Sequence, residues 1–118
     1  MTVRPVAAPG GSSGGTGAGG GTGTGPVTHD VDDPPQGSVL VVRTLSPRLG
    51  PLLPRLAGLV AETGSVLSHL AILAREQGVP TVVAYAAADA LVDGDEVTVD
   101  GLSGEVTLTA DQNLEEAR

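Results

Sequence analysis

The 118-residue chain contains no cysteine and no lysine, and its six arginines face fourteen aspartates and glutamates. Without cysteine there is no disulfide framework, which is compatible with a reducing compartment. The net charge of −8 disfavours nucleic acids and anionic membranes as partners, because a phosphate-rich surface would repel the protein. The composition therefore indicates a small acidic domain that acts on neither.

Long apolar runs are also missing. The N-terminal MTVRPVAAPGG lacks the apolar segment of a signal peptide. No stretch approaches the roughly 18 consecutive apolar residues of a membrane-spanning helix. We therefore expect a cytoplasmic protein.

Glycine is concentrated at the N-terminal end, where the first 37 residues hold 11 of the 18 glycines. We interpret residues 1–36 as a flexible linker rich in Gly, Ser, Thr and Pro, a disordered N-terminal tail. Gly15, Gly17 and Gly20 match the G-x-G-x-x-G pattern of dinucleotide sites, but we expect neither a preceding strand nor a following helix and treat the match as chance. His29 is interpreted as a solvated linker residue.

The remaining chain, residues 37–109, alternates strand and helix signals. SVLVVRT, GLVAE and TVVAY are short apolar runs typical of buried strands, and EVTVDGLSGEVTL predicts two more around a turn. A short helix is predicted after Ser46, limited by Pro51 and Pro54. A longer one is predicted from about Val66 to Gln77. The pattern predicts an α/β domain with four or five strands, followed by a polar tail over residues 110–118.

His69 is the only histidine in this foldable part, and it lies at the start of the longer helix. The first turn of a helix offers free N–H groups and the positive end of the dipole, which stabilise an anion. Imidazole is also a nucleophile near neutral pH. The residues alone leave open the alternative of a partly buried structural histidine bonded to a carbonyl, and they favour it slightly.

Four neighbours of His69 are candidates for supporting roles. Gly64 would allow a phosphate to approach the backbone. Ser68 could cap the helix or hydrogen-bond a phosphate oxygen, and Ser65 is an equally good cap. Arg75 would by default pair with a nearby acid. A Ser–His hydrolase site is disfavoured, because adjacent helical residues point about 100° apart and the chain has no G-x-S-x-G elbow.

Two segments carry a family resemblance: AGLVAETGSVLSHLAILAREQGVPTVV (57–83) and LVDGDEVTVDGLSGEV (91–106). They resemble the mobile, swivelling phosphohistidine domain of phosphoenolpyruvate-utilising enzymes, such as phosphoenolpyruvate synthase, pyruvate phosphate dikinase, enzyme I and rifampicin phosphotransferase. Ser68-His69 matches the core of the family motif, and Ala-Arg-Glu over 74–76 and Gly-Val-Pro over 78–80 follow at its spacing. Ser65 and Ala84 stand where the family has glycine.

The resemblance implies a compact three-layer β/β/α domain over residues 37–109, in which His69 is the phosphoryl acceptor. It implies that Gly64, Ser65 and Ser68 lie next to the phosphate, that Arg75 supports them, and that the chain holds no metal. It also implies partners in trans: an ATP-grasp nucleotide-binding domain, a phosphoenolpyruvate- or substrate-binding domain, or both. Mg²⁺ and ATP or phosphoenolpyruvate would bind there. Two alternatives are a non-catalytic docking module and a truncated relic of the fold.

Overall fold

The computed structural model describes residues 14–65 and 67–109. Within them the chain forms seven strands, one α-helix and two 3₁₀ helices. The strands are β1 Thr16–Gly19, β2 Thr22–Thr28, β3 Ser38–Val42, β4 Leu56–Ala61, β5 Thr81–Val83, β6 Glu96–Asp100 and β7 Val106–Leu108. The α-helix, α1, is His69–Glu76, and the 3₁₀ helices are Pro47–Arg55 and Ala86–Ala90. None of these helices has the length and apolar character needed to cross a membrane.

The strands form one curled sheet in the order β1-β5-β4-β3-β2-β6-β7. Strands β2 to β5 are parallel to one another, whereas β1, β6 and β7 pair antiparallel with their neighbours. Because the parallel strands follow one another in chain order, the connections that carry Pro47–Arg55 and α1 lie on the same face of the sheet. All four parallel strands end at one edge.

Two apolar clusters fill the two faces of the parallel strands. Side chains alternate along β3, so Leu40 points into the cluster beneath the helices, and Val39 and Val41 point into the cluster beneath β6 and β7. The helical cluster includes Leu49 and Leu53 of the 3₁₀ helix with Leu59, Leu70 and Ala74. The other includes Val60, Val82, Val97, Val99 and Val106. This arrangement confirms the α/β class with helical, parallel and antiparallel layers.

The 3₁₀ helix Pro47–Arg55 corresponds to the short helix predicted after Ser46. The Ser46 hydroxyl caps it by accepting a hydrogen bond from the Arg48 N–H at 3.3 Å. Pro51 and Pro54 lie inside it and have no N–H to donate, which prevents a regular α-helical ladder.

The interpretation of residues 1–36 as a flexible linker is wrong for residues 14–28, which form β1 and β2. Strand β2 lies between β3 and β6, and its Val27 is buried opposite Val39. The domain therefore begins before residue 37, and the strand count rises from the predicted four or five to seven. Residues 1–13 and the predicted tail 110–118 lie outside the described residues.

Close backbone approach explains why these strands consist largely of glycine. A Cβ atom on Gly23 would collide with the carbonyl oxygen of Ala57, and one on Gly25 with that of Gly37. Gly23 and Gly25 thus face inward, and Thr22 and Thr24 face solvent, where the Thr24 hydroxyl bonds the Thr98 hydroxyl of β6 at 2.8 Å. Glycine is thus a packing requirement here and does not mark a tether.

Gly23→Ala should lower the free energy of unfolding by about 1–3 kcal/mol, because the added methyl group overpacks the contact between β2 and β4. Gly50→Ala is the matched control: its methyl group would meet only Leu73 Cδ2, at 3.7 Å, and should raise stability by about 0.5 kcal/mol. Urea unfolding measures both. A neutral Gly23→Ala would contradict the role of β2 as a packed strand.

Ala84, directly after β5, has a φ of 56°, which is unfavourable for a residue with a Cβ atom. Ala84→Gly relieves this strain and should raise the free energy of unfolding by about 0.5–1 kcal/mol. Ala86→Gly, an exposed position in the second 3₁₀ helix, should lower it by a similar amount, because glycine there only loses backbone entropy. If chemical denaturation showed that both variants lower the free energy of unfolding, Ala84 would be unstrained.

Candidate functional site

The loop between β4 and α1 leaves the sheet at the carboxyl edge of the parallel strands. Backbone and side-chain hydrogen bonds hold its first residues against the end of β3. The Glu62 N–H donates to the Val42 carbonyl at 3.0 Å, and the Thr63 N–H donates to the Arg43 carbonyl at 2.9 Å. The Thr63 hydroxyl donates to the same carbonyl at 3.0 Å. The loop therefore starts from a fixed position.

A turn at Gly64 and Ser65 directs the chain toward the helix. Gly64 has a φ of 130°, a conformation that residues with a side chain rarely adopt. The Ser65 hydroxyl accepts from the Leu67 N–H at 3.0 Å, and the Ser65 carbonyl accepts from the Ser68 N–H at 3.0 Å. Both residues lie in the loop just before His69.

Ser68 is the N-cap of α1. Its backbone is extended, and its hydroxyl oxygen accepts from the Ala71 N–H at 3.2 Å. The helix therefore begins at His69, and the start predicted at about Val66 is wrong by three residues. Ser68 rather than Ser65 fills the capping role. The hydroxyl hydrogen of Ser68 is not used by this contact and can still be donated.

His69 is the first residue of α1, and its side chain is exposed. Leu70, Ala71 and Ala74 are buried and fix the helix against the sheet. Among the described residues, no side-chain hydrogen bond to His69 is found. The alternative of a partly buried histidine bonded to a carbonyl is therefore not what the structure shows.

The electrostatic setting of His69 favours an anion. The first turn of α1 contains no acidic residue, and it provides the N–H groups and the positive end of the helix dipole. An anionic group attached to the imidazole would thus meet no carboxylate from the first turn of its own helix. The first turn of α1 thus lacks acids even though the chain as a whole has a net charge of −8.

Arg75 lies near the opposite end of α1, about 9 Å from His69 along the helix axis. Its methylene groups pack over Gly19 of β1, where a Cβ atom would collide with them. In the described part of the chain Arg75 forms no ion pair, so the expected partner acid is not observed there. This contact joins α1 to the edge strand β1. It lies away from the start of the helix, where His69 is located.

His29 is solvent-exposed, as predicted, but it directly follows a packed strand and does not belong to a linker. It follows β2 at the same edge of the sheet, and its Nδ1 lies 2.5 Å from Asp93 Oδ1. The histidine side chain is 44% exposed. Within residues 14–65 and 67–109, no group of three or more His, Asp or Glu side chains is placed to hold a metal ion.

Residues 34–104 match the family model described as PEP-utilising enzyme, mobile domain. The chain is 41% identical over 75 residues to "Uncharacterized phosphotransferase YvkC" of Bacillus subtilis. The matched region covers 63% of this chain and 9% of that protein. It is 46% identical over 83 residues to "Phosphoenolpyruvate-protein phosphotransferase" of Streptomyces coelicolor, which covers 69% of this chain and 14% of that protein. The chain thus spans about a tenth of the length of these relatives.

A solved structure shows the same fold. The solution structure of the Enzyme I (nEIt) protein superposes with a TM-score of 0.59 at 30% identity, over 75% of this chain and 37% of that one. The family model covers more than half of the present chain. The chain belongs to the PEP-utilising enzyme mobile-domain family.

Ser68→Ala should lower the free energy of unfolding by about 1 kcal/mol, because the Ala71 N–H loses its capping acceptor. Ser68→Asn, which keeps an acceptor at the N-cap, should retain most of the stability. Thermal or urea unfolding measures both variants. An alanine variant as stable as the parent chain would show that the Ser68 cap contributes nothing to the helix.

Proposed function

We propose that this member of the family is a phosphoryl carrier, in which His69 accepts a phosphoryl group from one active site and passes it to a second. One observation carries the proposal: His69 is an exposed imidazole at the first position of α1. The family match supports it, since the mobile domains of these enzymes carry a phosphohistidine between partner sites. The printed names of both relatives include phosphotransferase.

The transfer step requires a nucleophile and little else from this chain. The lone pair of an unprotonated ring nitrogen of His69 attacks the phosphorus, and the P–O bond to the donor's leaving oxygen breaks. The proton on the other ring nitrogen can remain there or pass to solvent after the P–N bond has formed. In the second active site the P–N bond breaks, an acceptor oxygen takes the phosphoryl group, and the imidazole is regenerated.

The loop and the first turn of α1 would stabilise the phosphorylated state. The N–H groups of the first turn that the Ser68 cap leaves unused can donate to phosphoryl oxygens, and the helix dipole lowers the energy of the added charge. The hydroxyl groups of Ser65 and Ser68 retain hydrogens for donation, and Gly64 leaves space for an approaching group. These residues bind and orient the phosphoryl group, and His69 alone forms a bond to it.

The donor and acceptor sites would be supplied by partner domains. Phosphoryl transfer requires positioned cations around the transferring group. We propose that an ATP-grasp nucleotide-binding domain, or a phosphoenolpyruvate-binding domain, supplies them together with Mg²⁺. ATP or phosphoenolpyruvate would bind in those domains, in the same polypeptide or in another.

Alkaline intact-mass and peptide spectrometry tests this function, because alkaline conditions preserve phosphohistidine. The chain would be incubated with Mg²⁺ and ATP or phosphoenolpyruvate, and with a phosphoenolpyruvate synthase or phosphoenolpyruvate-protein phosphotransferase that lacks its own mobile domain. We expect one acid-labile phosphoryl group on the tryptic peptide 56–75. The peptide that ends at Arg43, which contains His29, should remain unmodified and serves as an internal control.

His69→Ala should abolish the modification while leaving the fold intact, because the side chain is exposed and makes no described contact. Circular dichroism checks the fold. A folded parent chain that stays unmodified with every donor would contradict the carrier function and favour a docking module or a relic. Modification that persists in His69→Ala would assign the acceptor to another residue.

A further inference from the structure

A cleft of about 380 Å³ opens at the carboxyl edge of the sheet, between the segments that follow β2 and β3. After β2 the chain passes through His29 and Val31, and after β3 it passes through Arg43 and Thr44 into the 3₁₀ helix. Because β2 and β3 are parallel neighbours, both segments leave from the same edge and diverge there. Crevices at the carboxyl ends of parallel strands are common ligand sites.

Basic side chains line this cleft in an otherwise acidic chain. Arg43 and Arg48 both lie on it, although the whole sequence has only six arginines. The Arg43 side chain is 85% exposed, and its one described partner, Glu62, lies at 4.0 Å. Arg48 is exposed and forms no side-chain hydrogen bond or ion pair within the described residues. Both guanidinium groups can therefore turn toward a ligand.

His29 adds an imidazole ring to the cleft lining. Its Nδ1 bonds Asp93, and a carboxylate can only accept, so the proton on this nitrogen is held by Asp93. The other ring nitrogen, Nε2, accepts a hydrogen bond when the ring is neutral and donates one only when the ring is protonated. Asp93 is paired with His29 and Glu62 with Arg43. Asp30, Asp32 and Asp33 belong to the segment after β2 but are not among the residues that line the cleft.

The cleft also has an apolar wall, formed by Val31, Val42 and Leu49. Val31 is one of the few large apolar residues that remain exposed in the described part of the chain, at 39%. A ligand that only carried charge would leave this wall uncovered. A ligand with both an anionic and an apolar part would use both surfaces.

We propose that this cleft binds a small phosphate monoester. Its phosphate would lie between Arg43, Arg48 and His29, and its organic part would cover Val31 and Val42. A phosphate monoester has three terminal oxygens, whereas a carboxylate has two. Two of the three can accept from the guanidinium groups, and the third can donate its P–OH to the neutral imidazole or accept from the protonated one. The loop that carries His69 is bonded to Val42 and Arg43, but none of its residues lines the cleft. Ligand binding there does not depend on phosphoryl transfer.

The test is a titration of the isotope-labelled full chain with phenyl phosphate, and in parallel with inorganic phosphate, at constant ionic strength. We expect saturable NMR shifts of the His29 imidazole and of the Arg43 and Arg48 side chains. Phenyl phosphate should bind more tightly than inorganic phosphate because its ring covers the apolar wall. Arg48→Gln should weaken phenyl phosphate binding about tenfold, the usual size of a lost charge-assisted hydrogen bond.

Arg55→Gln is the matched control, since Arg55 is bonded to Asp33 at 2.7 Å and does not line the cleft. It should leave the affinity unchanged. Equal weakening by Arg48→Gln and Arg55→Gln would indicate general charge attraction and overturn the proposal. Non-saturable shifts, or shifts confined to residues 64–69, would overturn it as well. Because binding is the readout, none of these outcomes depends on whether His69 is phosphorylated.

Discussion

The close passage of β2 between β3 and β6 is the contact on which the rest of the domain depends. One side of β2 extends the parallel strands, and the other side attaches β6 and β7, so the apolar cluster beneath β6 and β7, which includes Val27 of β2, closes around it. This position requires glycine, because at Gly23 and Gly25 neighbouring carbonyl oxygens occupy the space of a Cβ atom. Hydrophobic side chains on the adjoining strands supply the burial that β2 itself cannot.

The parallel strands connect this scaffold to the chemistry. They end at one edge, where the loop after β4 is bonded to the end of β3 and turns at Gly64 into the Ser68 cap. The buried face of α1 then fixes the helix, so His69 is held at its first position with the imidazole in solvent. A carrier needs this combination of a fixed backbone and an exposed nucleophile, because two partner sites must reach the same nitrogen.

The sequence was sufficient for the parts of the fold whose signals are local. Apolar runs predicted β3, β4 and β5. The Gly-rich strands were missed because glycine content indicates flexibility when contacts are unknown, and only the alternation of Gly and Thr in GTGTG indicated a strand. His29 was misinterpreted for a similar reason: its partner, Asp93, is 64 residues away in the chain.

The most direct test of the central claim is NMR of the isotope-labelled chain after exposure to a phosphoryl donor and its partner enzyme. A ³¹P resonance with scalar coupling to an imidazole ¹⁵N of His69 would demonstrate the P–N bond that the account predicts. Coupling to the β-protons of Ser65 or Ser68, or to the His29 ring, would contradict it. The same spectrum would identify which ring nitrogen of His69 carries the phosphoryl group.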